Sequence, residues 1–244
     1  MPAIEVSGVW KTFAIPHNRQ TTLKERFLHP FHRTTYERNE ALKDVTFSVD
    51  QGECFGIIGP NGSGKSTLLK TVAGIHLADR GTVRVNGLLS PFIELGVGFN
   101  PELNARDNVR VSATLLGLSK REVEEKFDEM IAFAELERFV DLKLKNFSSG
   151  MVMRLAYSVA IQVPFDILLL DEVLAVGDQS FQQKCFATLD EIRAAGKTIL
   201  FVSHDLGSVR RICDRSLLLQ NGVIEASGPS DEVVEIYEDL GVHA

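Results

Sequence analysis

Gly59-Pro60-Asn61-Gly62-Ser63-Gly64-Lys65-Ser66 is the stretch from which the rest of the chain is read. It follows Cys54 to Ile58, a short apolar run of the kind found in strands buried on both faces. A helix is predicted to begin near Lys65. The glycines let backbone N–H groups turn inward around phosphate oxygens, and the helix N-terminus adds a partial positive charge. In this pattern the lysine reaches β- and γ-phosphates and the serine hydroxyl suits Mg²⁺. Strand, glycine-rich turn and helix in that order imply a P-loop and an α/β fold.

A P-loop alone leaves kinases, GTPases and many ATPases open. Ile167 to Leu170 is a second apolar run, and it ends in Asp171-Glu172. An acid at the end of such a strand stands beside the Mg²⁺ site. The next one, Glu172, can orient and polarise an attacking water. Thr198 to Val202 reads as another buried strand. His204 follows it, 32 residues after Glu172, and is read as a γ-phosphate contact. Asp205 reads as a solvated acid. Ser148, Ser149 and Gly150 precede a helical stretch from Val152 to Gln162, and the N–H groups at such a helix start can accept a phosphate. From its residues alone the chain is a P-loop ATPase with a second candidate anion site.

The 244 residues are 44% hydrophobic, which suits one globular domain. The formal net charge of -7 argues against a general nucleic-acid binder. Three cysteines without CxxC spacing fit a reducing compartment, and Cys54 in its apolar run reads as buried. The first residues carry no signal-peptide pattern. No apolar run approaches the ~20 residues of a membrane-spanning helix, so another chain must do any crossing.

Further elements follow from periodicity. Ile4 to Val9 reads as a first strand, and Val45, Phe47 and Val49 alternate as a half-buried one. Residues 14–40 form a polar stretch with many basic and aromatic side chains. Residues 107–140 read as helical, with capping-box spacing at Ser119 and Glu122 and an apolar stripe of Val123, Phe127, Ile131 and Ala134. Asn221-Gly222 between two apolar runs signals a hairpin. Ser230 or Asp231 is expected to cap a last helix with Val234, Tyr237 and Leu240 on one side. Strands alternating with helices imply a mainly parallel sheet, with residues of about 100–160 as a helical insert.

Together these residues resemble the nucleotide-binding domain of ABC transporters over nearly the full chain. Gly59 to Ser66 is similar to Walker A and Ile167 to Asp171 to Walker B. Glu172 is similar to the catalytic glutamate, Ser148-Ser149-Gly150-Met151 to the signature motif, Val176-Gly177-Asp178 to the D-loop and His204 to the switch histidine. Where the family usually has Leu-Ser-Gly-Gly-Gln, this chain has Phe147-Ser148-Ser149-Gly150-Met151. That variant, the run from Asp171 to Cys185 and the segment Glu94 to Leu103 resemble the subfamily exporting polysaccharides and teichoic acids, the Wzt and TagH type.

The resemblance implies an ABC ATPase core, an antiparallel β subdomain and an inserted helical subdomain. Residues 1–244 form a single domain, with a family-specific insert at about 14–40 and no room for the C-terminal sugar-binding domain of many Wzt proteins. It implies ATP and Mg²⁺ as cofactors. Lys65, Glu172 and His204 are catalytic. The nucleotide is held by Gly59, Pro60, Asn61, Gly62, Ser63, Gly64, Lys65, Ser66 and Thr67, and by Ser148, Ser149, Gly150 and Asp178 from a second copy of the chain. Ser66 and Asp171 hold the metal. The usual Q-loop glutamine is missing; Glu94 and Asn100 are the two candidates for its place at the metal. Phe13 aligns best with the aromatic that stacks on adenine, although plain packing would also explain it.

The partners implied are a second ATPase subunit, an integral membrane permease and a lipid-linked glycan touched by residues 18–38. The place implied is the cytoplasmic face of the inner membrane. Rival readings are an exporter of another substrate, a soluble ABC protein acting on ribosomes or DNA, and a degenerate subunit without hydrolysis. One cassette, no heptad run and the acidic balance stand against the second. The presence of Lys65, Glu172 and His204 stands against the third.

Overall fold

The computed structural model describes residues 1–16, 36–92, 96, 98–171 and 178–241. Glu94, Glu172 and positions 18–35 of the basic segment lie outside these residues.

A six-stranded sheet forms the centre, in the order β5 (Leu89–Phe92), β6 (Ile167–Asp171), β7 (Thr198–Val202), β3 (Cys54–Ile58), β8 (Arg215–Gln220) and β9 (Val223–Pro229). Neighbours are parallel as far as β8, and β9 returns antiparallel. A three-stranded antiparallel sheet, β2 (Tyr36–Asp50), β1 (Pro2–Pro16) and β4 (Arg80–Val85), covers one face.

The continuous apolar runs have a simple cause. Along β6, Leu168 and Leu170 join one core cluster while Ile167 and Leu169 join another. Along β7, Ile199 and Phe201 alternate with Leu200 and Val202 in the same way. Both faces of the sheet are covered, so these runs are apolar on both sides, and each buried Leu or Ile contributes about 1.5–3 kcal/mol. The antiparallel sheet and helix α1 (Lys65–Val72) lie over one face; α5 (Gln179–Ala194), α6 (Leu206–Ile212) and α7 (Ser230–Asp239) lie over the other.

The helical insert has its own core. Helices α2 (Ala105–Leu115), α3 (Lys120–Ala134) and α4 (Ser149–Ala160) bury Ala105, Val109, Phe127, Met130, Leu155 and Val159 together. Helix α4 also sends Tyr157 into the core beneath the central sheet, which welds insert to core. The Ser119 and Glu122 capping box forms, with Glu122 N–H donating to Ser119 Oγ and Ser119 N–H donating to Glu122 Oε2.

Several expectations need correction. The stretch 107–140 is not one helix: Gly117, at φ +109°, breaks it before Ser119 caps the next. Residues 14–16 and 36–40, read as part of a polar stretch, are strand, because β1 and β2 pair as a ribbon to Pro16 and Tyr36. The last helix starts at Ser230 without a side-chain cap, and its buried side is Val233, Val234 and Tyr237 while Leu240 is 49% exposed. All three cysteines are free and buried.

Candidate functional site

The P-loop turns where β3 leaves the sheet. Gly59, at φ +146°, lies so close to β8 that a β-carbon would come within 2.0 Å of the Leu219 carbonyl oxygen. Gly64 caps α1 at φ +108°, and a β-carbon there would meet the Ala41 carbonyl at 2.5 Å. Only glycine permits this approach. No acid occupies the first turn of α1, so its N-terminal N–H groups remain suited to an anion. Lys65 is buried, and its Nζ donates to the carbonyls of Gly59 at 2.7 Å and Pro60 at 3.0 Å.

A cleft of about 630 Å³ opens beside the loop. Asn61, Gly62, Gly64, Lys65, Ser66 and Thr67 line it together with Asp171, from the end of β6. Ser66 is exposed there, so a hydroxyl and a carboxylate both line the cleft. These are hard oxygen donors of the kind Mg²⁺ prefers alongside phosphate oxygens. Among the described residues no group of three or more His, Cys, Asp or Glu could hold a metal without such help. Phe13 lines the same cleft.

His204 does not line that cleft. It is exposed two residues beyond Val202, whose register partners are Asp171 on β6 and Ile57 on β3. It therefore stands beyond the carboxyl ends of the strands, where Asp171 and the P-loop also lie. Asp205 is more than a solvated acid: it caps α6, accepting from the Gly207 N–H at 3.1 Å. An Asp just before a helix start was the available signal. Asn100 is not brought to the cleft. Its Oδ1 accepts from the Glu102 N–H at 2.9 Å, and its backbone pairs with Asn108.

The second candidate anion site is a separate pocket of about 570 Å³, lined by Ser148, Ser149, Gly150, Met151, Arg154 and Asp178 among others. The two clefts share no lining residue. Ser148 caps α4 through the Met151 N–H at 3.2 Å. Asp178 caps α5 through the Phe181 N–H at 3.0 Å. Its carboxyl is held below the usual range first by that N–H, then by the Ser180 hydroxyl and then by Arg154.

Two contributions escaped sequence reasoning. The Asn221-Gly222 turn was legible as a hairpin, but not that it braces the P-loop: Gly222 N–H donates to the Ser63 carbonyl at 2.9 Å, and its own carbonyl accepts from Lys43 N–H at 2.8 Å. Arg154 carried no local signal, because its partners Glu135 and Asp178 lie 19 and 24 residues away.

Comparison with known proteins agrees with this geometry. The ABC transporter family profile matches residues 42–175. The O-antigen export system ATP-binding protein RfbB of Klebsiella pneumoniae is 42% identical over 240 residues, 97% of this chain and 98% of its own. The teichoic acids export ATP-binding protein TagH of Shouchella clausii (strain KSM-K16) is 38% identical over 98% of this chain and 66% of its own. Among solved structures, the dimeric post-hydrolysis ATP-binding cassette MJ0796, bound to ADP and Pi, has a TM-score of 0.74. It covers 93% of this chain and 98% of that one at 24% identity, a likeness of fold. The family profile, the near full-length relatives and the cleft beside the P-loop agree: this chain belongs to the ABC transporter family and is one of its ATPases.

Proposed function

We propose that the chain is the ATP-hydrolysing subunit of an exporter that carries a lipid-linked polysaccharide, of O-antigen or teichoic acid type, across the cytoplasmic membrane. The observation that carries this reading is the match to the O-antigen export protein along 98% of that relative's length. The teichoic acid relative supports the same substrate class.

In this reading the P-loop from Gly59 to Thr67 wraps the phosphates and Lys65 turns from its own loop carbonyls to the β- and γ-oxygens. Ser66 and Asp171 hold Mg²⁺, which when bound neutralises charge developing on the phosphate oxygens. Glu172 accepts a proton from the attacking water, and His204 contacts the γ-phosphate. Two copies pair head to tail, so that Ser148, Ser149, Gly150 and Asp178 of one close on the nucleotide of the other. The separation of the two clefts in one chain favours this pairing, as does the dimeric cassette among the structural relatives.

The subunit works from the cytoplasmic face, bound to a permease. Among the described residues no helix is long and apolar enough to cross a membrane. An apolar groove of about 400 Å³ between α2 and α3 leaves Val111 and Leu115 exposed. Gly98 lies against Leu115 and Val111, so it borders this groove. That face receives the permease helix. Residues 18–38 supply Arg19, Lys24, Arg26, Arg33 and Arg38 with Phe27, Phe31 and Tyr36 between them. Arginine suits the diphosphate of a polyprenyl-linked glycan and the aromatics suit sugars or lipid head groups.

Purification from membranes, followed by identification of the bound partner and lipid, tests the reading. It predicts a polytopic permease and a polyprenyl-linked glycan. Cysteines at positions 98–104 should crosslink to that permease. A permease of unrelated substrate class, or none, would overturn the proposal.

A further inference from the structure

Phe13 and Asn39 are direct partners in the antiparallel ribbon of β1 and β2. Opposite residues in such a pair share a face, with β-carbons about 4.5–5.5 Å apart. Both line the cleft beside the P-loop. The back of the Phe13 ring is occupied: His76 meets it edge-on at 5.4 Å between centroids, and the Lys11 ammonium lies 5.5 Å from its centre. Neither His76 nor Lys11 lines the cleft. The ring is thus braced from behind and has a side turned to the cleft. Asn39 is exposed, and among the described residues nothing hydrogen-bonds its carboxamide. An aromatic platform with an uncommitted amide beside it is the pairing that reads a purine: the ring stacks on the base, and the amide meets its edge.

We propose that Asn39 is the base-specificity residue of this ATPase. Its Oδ1 accepts from the adenine 6-amino group while its Nδ2 donates to N7, with the base stacked on Phe13. This inference rests on the nucleotide-site reading and adds a selectivity that stacking alone would not supply, since every base has a π-face. Guanine offers acceptors at both the 6-oxygen and N7, so the amide oxygen would face another acceptor. The neighbouring Glu40, partner of Thr12 in the register, also lines the cleft, but a carboxylate has no N–H to donate to N7.

Equilibrium binding of ATP, GTP and 7-deaza-ATP to the purified full chain tests this. The wild type should favour ATP over GTP by about tenfold, the scale of one bidentate amide–base contact. It should also favour ATP over 7-deaza-ATP. Asn39→Ala should bring all three within about twofold, by weakening ATP rather than strengthening GTP. Phe13→Ala should weaken ATP and GTP alike. Equal affinity for ATP and GTP in the wild type would overturn the proposal. So would an unchanged ratio in Asn39→Ala. In both cases loss of ATP binding in Lys65→Ala would leave the nucleotide site itself standing. If the wild type binds no nucleotide, or Lys65→Ala binds ATP normally, the nucleotide-site reading falls, and this inference with it.

Discussion

Arg154 on α4 donates from Nη2 to Asp178 Oδ2 over 2.6 Å, while its Nη1 reaches Glu135 Oε2 at 2.9 Å. Its guanidinium also lies 4.9 Å from the centre of the Phe181 ring. One side chain therefore ties the helix that starts at Ser149 to the cap of α5 and the end of α3. The planar guanidinium fork meets both acids from separate nitrogens in a fixed geometry, which the point charge of an ammonium reproduces less well. Arg154→Met should lower ATPase turnover several-fold while ATP binding to the isolated subunit stays intact, and Arg154→Lys should restore only part. Turnover and binding measured side by side decide it. An equal loss in both would mean general misfolding instead.

Asp178 also gives a dependence on acid. Its folded carboxyl titrates below the ordinary 3.8, chiefly because the Phe181 N–H and the Ser180 hydroxyl donate to it. A depressed carboxyl stabilises fully above its unfolded value, and that contribution is lost as the pH falls through the folded one. Asn can still cap a helix, so Asp178→Asn removes mainly the charge. Urea unfolding should show the wild type more stable at pH 7 and the gap closing below pH 3.8. A gap that holds constant or widens in acid contradicts the assignment.

Glu172→Gln should keep ATP binding and cut turnover by about 10²–10⁴-fold, the usual contribution of a general base. The comparison is single-turnover hydrolysis with a binding isotherm on the same preparation. Near-normal hydrolysis by a folded variant would remove Glu172 from the chemistry.

Two clefts without a shared residue lead to a mixing test for trans pairing. Ser149→Arg chains and Lys65→Ala chains should each be inactive alone. Mixed dimers keep one composite site free of both changes, so partial ATPase activity should return. Mixed dimers shown to form yet fully inactive would refute trans pairing or the independence of the sites.

The thiols should be silent in the native protein. Burial pushes Cys185 up to about 11, and Cys213 is raised first by its contact with the Cys54 sulfur 3.8 Å away and then by burial. At pH 8 only about one Cys185 in a thousand would be thiolate, the reactive form. Alkylation followed by mass spectrometry should find all three unmodified until denaturant is added. Rapid labelling of folded protein would contradict their burial.

How far the chain could be read in advance follows from where its physics is local. The buried strands at Ile167 and Thr198 were plain, because burial on both faces produces a run of mostly apolar residues. The Ser119 capping box was plain, since both partners lie within one turn. Strand β4, Arg80 to Val85, was missed: it is mostly exposed and alternates weakly. The outer ribbon of β1 and β2 was missed because polar side chains there hide its pairing. At the site, the P-loop, Asp171 and Ser148 were legible as motifs, since their chemistry lies in consecutive residues. Arg154 and Asn39 were not, because each acquires its partner only through the fold. The Leu240 misreading has the same root: helical spacing indicates a face, and only the packed core decides which residues of that face are covered.

The central claim is that hydrolysis by this chain drives export of a lipid-linked polysaccharide. It is tested most directly in cells lacking the native gene, supplied with either wild type or Glu172→Gln at equal protein levels, with surface polysaccharide and its lipid-linked precursor measured together. The account predicts that the wild type restores the surface polymer, whereas Glu172→Gln does not and the precursor accumulates inside. Normal surface polysaccharide with Glu172→Gln, or in cells with no copy of the gene, would contradict it.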